Sequence, residues 1–306
     1  MTEVLVGTGG WSYFQISGVP SLEAYSRAFN FVEVNSTFYK IPSVKLVEQW
    51  RRRVPRDFRF AVRCHRNLTY KYRLEPVGES HKILSEMTAI CRILQTTLLH
   101  IQTPKSLRLD RTKLKSIADL FSSADLGGTR IVWEIRGEKS LPKKKIIKLM
   151  KDFDMIHSID LSKGQEPAFQ ADILYSRLFG KGKHNIYQPT DRELKRIHKE
   201  VAKANPKTAA LSFHFVKMYK DAARFRIYNQ TGRFPPVTSN TGIRSLEEVL
   251  KQDALFPTTK KELIEHQGWK LIDLTNDKRV RAVKLLQKLP KKTYNSLGDV
   301  IEMVKN

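Results

Sequence analysis

The chain has 306 residues, 41% of them hydrophobic, which suffices for one large domain or two ordinary domains with a sizeable core. It has no run of about 18 apolar residues, no signal-peptide pattern at its start, and only two cysteines, which form no disulfide framework. We therefore expect a cytoplasmic protein without a membrane partner. Lysine and arginine total 55 against 31 acidic residues, and the net charge of +24 favours a nucleic-acid partner, with DNA preferred over RNA.

Short apolar runs alternate with segments of helical periodicity along most of the chain. The runs predict strands at Val4–Gly7, Phe31–Asn35, Phe58–Cys64, Thr97–Gln102, Arg130–Arg136, Met155–Asp160, Ile173–Phe179 and Ala209–Val216. Helical patterns follow at Leu22–Phe29, Val44–Val54, Glu79–Leu94, Lys113–Ser122, Lys143–Phe153, Glu193–Ala204 and Asp221–Tyr228, with a short helix at best after Asp160. This alternation indicates parallel βα units, and eight of them predict a closed (β/α)8 TIM barrel.

The composition changes after the eighth unit. Residues 231–240, TGRFPPVTSN, lack periodicity and contain glycine and two prolines, so they predict a linker. Beyond it, SLEEVLKQ, TTKKELIEHQ, RVRAVKLLQKLP and SLGDVIEMVK predict four short helices. We therefore expect a barrel over 1–230 and a small helical domain over 241–306, the latter a candidate contact for nucleic acid or a protein partner. With 13 basic and 9 acidic residues, the helical domain carries only +4 of the charge.

Strand alternation places polar side chains on the inner wall of the predicted barrel. In FVEVN, Val32 and Val34 share one face, and Glu33 and Asn35 share the other. The outer face packs under helices, and the last residues of each strand open onto the carboxyl-end mouth. The mouth is therefore expected to carry a polar ring of Glu33, Asn35, Arg63, Gln102, Glu134, Arg136, Asp160, Arg177 and His214.

The ring favours acid–base or nucleophilic chemistry. The other histidines are scattered, and neither a GxGxxG nor a P-loop pattern occurs, so no metal site and no cofactor are predicted. Glu33, Glu134 and Asp160 are the candidate catalytic carboxylates. Arg63 on the neighbouring strand favours an ionised Glu33 that serves as base or nucleophile. The alternative is a buried layer of ion pairs that has no chemical role.

Basic and aromatic residues complete the predicted site. Arg63, Arg136 and Arg177 could clamp a phosphate, and GKGKH at 180–184 adds Lys181 and Lys183 after strand seven, where barrels often bind phosphate. Trp11, Tyr13 and Tyr39 follow the first two strands. These rings could stack on an extruded base, or they could simply roof the barrel core.

Several motifs resemble one family. GTGGWSY at 7–13, FVEVNSTFYKIPS at 31–43, Trp50 and PRDFRFAVRCHRNLTY at 55–70 are similar to the YecE-like TIM barrels, a domain of unknown function numbered 72. HIQTPKSL, WEIR and YSRLFGKG extend the resemblance, which covers roughly residues 4–230. It implies a (β/α)8 barrel and no established reaction, although the fold resembles that of barrel enzymes that repair abasic DNA or isomerise sugars. Family members usually carry paired asparagines near the end of strand eight, whereas this chain has His214 there. The tail also looks like a small helical domain of unknown function.

These features favour a nucleic-acid hydrolase of the DNA glycosylase or nuclease type, with a possible role in DNA repair. It would take a flipped or terminal nucleotide into the mouth and cleave an N-glycosidic or phosphodiester bond. Two alternatives stay open. One is a sugar-phosphate or other small-molecule isomerase or lyase, and the other is a non-catalytic nucleic-acid-binding protein.

Overall fold

The structure, a computed structural model, describes residues 2–137 and 143–305. The chain forms two compact units. The first takes the residues up to Leu178 together with Lys199–His214, and the second takes Phe179–His198 and the residues from Phe215 onward. Within the described ranges, no helix combines the length and the apolar character needed to cross a bilayer.

Eight parallel strands form a closed barrel, in which each strand pairs with the next and the eighth pairs with the first. They are β1 (Glu3–Thr8), β2 (Phe31–Val34), β3 (Arg59–Arg63), β4 (Leu98–Thr103), β5 (Arg130–Ile135), β6 (Ile156–Ile159), β7 (Ile173–Leu178) and β8 (Thr208–Phe213). The ends of each strand lie within three residues of the ends of an apolar run seen in the sequence. The predicted α/β barrel is therefore confirmed.

Helices follow the strands in the segments that the periodicity predicts, and one short helix, Asn67–Tyr70, was not predicted. They are α1 (Ser21–Ala28), α2 (Val44–Arg52), α3 (Asn67–Tyr70), α4 (Gly78–Leu94), α5 (Arg111–Ser123), α6 (Lys144–Asp152), α7 (Asp191–Ala204) and α8 (Met218–Thr231). Local capping fixes some starts: the Asp110 carboxylate accepts a 2.9 Å bond from Lys113 N at the start of α5. After β6 the chain forms only a 3-10 turn, Leu161–Lys163.

The inside of the barrel has an apolar layer beneath a polar one. The apolar layer takes one buried side chain from each strand: Leu5, Phe31, Ala61, Leu98, Val132, Ile156, Tyr175 and Ala210. Two residues further along a strand, the side chain points to the same face. Glu33, Arg63, His100 and Arg177 are therefore brought together above the apolar layer, and all four are buried. This is the inner face that the alternation predicted.

The second unit contains its own hydrophobic core, which includes Leu250, Leu263, Leu286, Tyr294 and Val300. Its elements after α8 are α9 (Gly242–Leu250), β9 (Thr258–Thr259), α10 (Lys260–Gln267), β10 (Leu271–Asp273), β11 (Arg279–Arg281), α11 (Val283–Leu286), β12 (Thr293–Tyr294) and α12 (Leu297–Lys305). Helices occur in all four predicted segments, but two small sheets, β10–β11 and β9–β12, were not predicted. The predicted boundaries, with a linker at 231–240, stay a prediction.

Candidate functional site

A buried ion network occupies the polar layer at the carboxyl end of the strands. Glu33 has no exposed surface. Arg177 Nε lies 3.1 and 3.0 Å from the two carboxylate oxygens of Glu33, and Nη2 lies 3.0 Å from Oε1. Arg177 Nη1 donates to Glu134 Oε2. One guanidinium therefore bridges two carboxylates that come from strands on different sides of the barrel.

Two buried aromatic residues that the sequence analysis did not select support this network. The Tyr175 hydroxyl donates a 2.7 Å bond to Glu33 Oε2. The His100 ring stacks on Tyr175 with centroids 5.9 Å apart, and its Nε2 lies 3.3 Å from Glu134 Oε2. Strand alternation could have indicated both residues. Tyr175 precedes Arg177 by two residues and His100 precedes Gln102 by two, so each pair shares one face of its strand.

His214 lies on the inner face, beside Glu33. Its Nε2 is 3.0 Å from the Ser212 hydroxyl and 3.5 Å from Glu33 Oε1. Burial, and then the charge of Arg177, lower the pKa of His214 to about 3, so the ring is neutral near pH 7. Gly9 makes this packing possible, because a Cβ there would lie 2.4 Å from His214 Cε1 and 2.5 Å from Asn35 Nδ2.

The protonation states of the two glutamates follow from the same network. Burial by itself would raise the pKa of Glu33, but the positive charge of Arg177 lowers it well below its usual range. Burial likewise opposes the effect of Arg177 on Glu134, whose pKa is also lowered well below its usual range. Both carboxylates are therefore ionised near neutral pH, which excludes a general acid and leaves the role of a nucleophile or of a weak base. Only Glu134 has a partly exposed side chain, at 15%.

Arg63 occupies a different electrostatic position from Arg177. Its Nη1 donates to Asn35 Oδ1 at 3.2 Å, its Nη2 donates to Gln102 Oε1 at 2.8 Å, and its Cζ lies 3.7 Å from the centroid of the Phe38 ring. Among the described residues, no carboxylate lies within ion-pair distance of Arg63, and its buried Nε has no hydrogen-bond partner. Burial, and then the charge of Arg177, lower the pKa of Arg63 to about 10.

Gln102 links the two arginines. Its Oε1 accepts from Arg63 and, at 3.4 Å, from Arg177 Nη1, while its Nε2 donates a 2.8 Å bond to the Tyr70 hydroxyl. Tyr70 and Phe38 were not among the candidate residues chosen by strand alternation. Neither belongs to a strand, so alternation could not place them.

The remaining predicted residues are Asp160, Arg136, Lys181 and Lys183. The Asp160 carboxylate contacts residues of its own loop: Oδ1 accepts a 3.0 Å hydrogen bond from Ser162 N, and Oδ2 lies 3.5 Å from Lys163 Nζ. Arg136 is exposed and donates a 2.7 Å bond from Nε to Glu134 Oε1. Lys181 and Lys183 are exposed residues of the second unit.

The predicted clamp of several arginines on one phosphate needs a revision. Arg177 directs its guanidinium at Glu33, Glu134 and Gln102, so its charge is already neutralised within the protein. Arg136 is likewise paired with Glu134, so among the described residues Arg63 is the arginine of the polar ring without a carboxylate within ion-pair distance. Arg177 therefore fits the alternative reading of the polar ring, in which buried ion pairs have no chemical role. Arg63 does not fit that reading.

The predicted aromatic residues lie in the loops after the first two strands. The Trp11 and Trp50 rings meet edge to face with centroids 5.3 Å apart, and Trp11 is half-buried. Tyr13 and Tyr39 are 85% and 67% exposed. Two of the three rings are therefore open to solvent and do not roof the core. In the described ranges, no group of three His, Cys, Asp or Glu side chains is arranged to hold a metal ion.

Comparisons with known proteins agree with this fold. A family model described as "Protein of unknown function DUF72" matches residues 5–228. YecE of Escherichia coli K12, a UPF0759 protein, is 34% identical over 70 residues, which is 22% of this chain and 26% of YecE. The match thus spans about a quarter of that relative's length.

Solved structures show the same architecture. A DUF72 family protein of Thermotoga maritima MSB8 superposes with a TM-score of 0.61 at 19% identity, covering 74% of this chain and 99% of that one. A DUF72 family protein of Enterococcus faecalis V583 gives 0.58 at 15% identity, covering 75% and 98%. SacUVDE gives 0.52 at 8% identity, covering 76% and 100%. At these identities the likeness shows the fold alone.

Proposed function

This chain belongs to the DUF72 family, and on that premise we propose that it is a hydrolase that acts on nucleic acid at the carboxyl end of its barrel. Sites in this architecture lie at that end of the strands. The substrate bond is a phosphodiester or an N-glycosidic bond of a terminal or flipped nucleotide. Both cysteines are buried free thiols, which is in keeping with a reducing cytoplasm.

The observation that carries the proposal is the state of Arg63. Its guanidinium is buried beside a second arginine, has no acidic partner among the described residues and keeps an unpartnered Nε. Burying a charge that no carboxylate contacts is costly, although the more distant charges of Glu33 and Glu134 offset part of this cost. An anionic oxygen at this position would complete the hydrogen bonds of Arg63 and raise its pKa again, and a phosphate group is the anion that arginine binds best.

Glu134 is the carboxylate best placed to act on a substrate held by Arg63. It is ionised, it is partly exposed, and it pairs in register with Gln102, which bonds Arg63. We assign Glu134 as the base that takes a proton from the attacking water. Glu33 has no exposed surface, so we assign it the role of holding Arg177 rather than of touching substrate.

Paired variants of one strand test the anion site. Arg63→Gln and Arg59→Gln each remove one positive charge from β3, but Arg59 is the exposed residue at the opposite, amino end of the strand. Binding of a labelled oligonucleotide and of a nucleoside monophosphate is measured for both variants. Loss of a charged hydrogen-bonding partner should weaken binding by about 10- to 100-fold for Arg63→Gln. Equal affinities in the two variants would contradict the site.

A cleavage screen tests the reaction. Oligonucleotides that carry abasic sites, modified bases or free termini are incubated with the protein, with and without EDTA, and with Glu134→Gln as the control for contaminating nucleases. Cleavage that requires Glu134 is the expected result. Binding without cleavage of any substrate would favour a non-catalytic nucleic-acid-binding protein. Binding of small sugar phosphates alone would favour the isomerase or lyase.

A further inference from the structure

Three loops of the first unit form a basic rim around part of the barrel mouth. We call residues 35–43, 64–77 and 104–110, which follow β2, β3 and β4, the rim. Its charged residues are six basic and two acidic, a net of +4. The basic residues are Lys40, Arg66, Lys71, Arg73, Lys105 and Arg108, and all six are exposed. In the part of the chain that the structure describes, none of the six takes part in an ion pair.

The two acids of the rim are both engaged within the protein. Glu75 is paired with Lys113 and accepts a bond from Ser116. Asp110 caps α5, as described above. The lysines and arginines of the rim therefore give its surface a positive electrostatic potential, which attracts polyanions.

Aromatic rings stand between these charges. Phe38 is buried, and its ring meets Tyr39 edge to face at 5.1 Å and Tyr70 edge to face at 5.9 Å. Arg63 covers the Phe38 ring. Tyr70 is further held by Gln102, yet it remains 40% exposed, and Tyr39 is 67% exposed. The rim thus exposes the rings of Tyr39 and Tyr70 within a basic surface that extends to Arg63.

We infer that the rim binds single-stranded nucleic acid, with unpaired bases stacked on Tyr39 and Tyr70 and phosphates held by the basic side chains of the rim. Proteins that bind single-stranded nucleic acid combine exposed aromatic rings with basic side chains, because every unpaired base has a face that can stack on a ring. A duplex hides those faces and would use only the charges. The inference rests on the proposed function, since it names the substrate class of the same mouth.

Fluorescence anisotropy of the full chain tests this inference. The probe is a labelled oligodeoxynucleotide of mixed sequence, single-stranded or annealed to its complement. We expect tighter binding of the single strand. Tyr39→Ala should weaken that binding by about 5- to 150-fold, the range for loss of one stacked base, and Tyr39→Phe should restore it. Because Tyr39 is exposed, thermal melts of both variants should match the parent.

The salt dependence separates stacking from charge. Tyr39→Ala should lower the affinity at every salt concentration without changing the slope of log affinity against log salt. Arg66→Gln should reduce that slope by about 0.7 for the single strand. Equal affinity for duplex and single strand together with an unaffected Tyr39→Ala variant would overturn this inference and leave the proposed function standing. If neither probe binds, the proposed function itself fails.

Discussion

Replacing Glu33 with glutamine should destabilise the protein more than it impairs binding or chemistry. The substitution leaves the buried Arg177 paired with Glu134, although an amide oxygen at position 33 can still accept the Tyr175 bond. Breaking a buried ion pair costs about 3–5 kcal/mol. Because Glu134 continues to neutralise Arg177, we expect about 3 kcal/mol, which corresponds to a Tm lower by about 6–10 °C.

Circular dichroism melts and urea unfolding at pH 7 measure this change, with Glu23→Gln as the control. Glu23 carries the same charge but forms an exposed pair with Arg27, so its loss should change stability by about 0.5 kcal/mol or less. The pKa of Glu33 is lowered in the folded state, so its contribution is present above the pKa of the unfolded chain, near 4.5, and is lost as pH falls below that value. The difference between parent and Glu33→Gln should therefore shrink in acid.

Glu134→Gln should show the opposite pattern. As the proposed base it should lose about 10²–10⁴-fold in rate. Its partly exposed side chain should make the loss of stability smaller than that of Glu33→Gln. A Glu33→Gln protein with the melting temperature of the parent but no activity would refute the assignment of these two residues.

Three further outcomes are expected. Log affinity for an oligonucleotide should fall linearly with log salt, by about 0.7–0.9 per phosphate neutralised, and a flat response would contradict electrostatic binding by a chain of net charge +24. Burial lowers the pKa of His157 to about 4 in the folded chain, whereas the unfolded chain has a pKa of about 6.5. Between these two pH values the unfolded chain binds more protons than the folded chain, so the free energy of unfolding falls as the pH falls. Urea unfolding of His157→Asn at several pH values should show a slope of stability against pH shallower by up to about 1.4 kcal/mol per pH unit, and an unchanged slope would refute the burial of this ring. Gly7→Ala should prevent or strongly weaken folding, because a Cβ there would lie 1.9 Å from the backbone oxygen of Phe31. Gly78→Ala is the control: a Cβ at this position meets open space, so the variant should have a melting temperature no lower than that of the parent.

The sequence determined the barrel and its inner face. A strand buried under helices must be apolar on its outer face, so period two alone identified Glu33, Arg63 and Arg177 as inward-facing before any contact was known. The same rule applied one step earlier in β7 and β4 would have added Tyr175 and His100. Helix positions followed from their own period, because each amphipathic segment must bury one face.

Only the tertiary structure decided which charges are paired. Arg63 and Arg177 look alike in the sequence, since both are inward arginines near strand ends, yet one has no acidic partner in the described chain and the other bridges two carboxylates. Asp160 likewise matched the pattern of a catalytic carboxylate, and its Oδ1 accepts a bond from Ser162 N in its own loop. Strand alternation fixes the face on which a side chain lies. The curvature and register of the closed barrel determine which side chains from distant strands come within about 3 Å, which is hydrogen-bond distance. The spacing of residues along the sequence does not predict those distances.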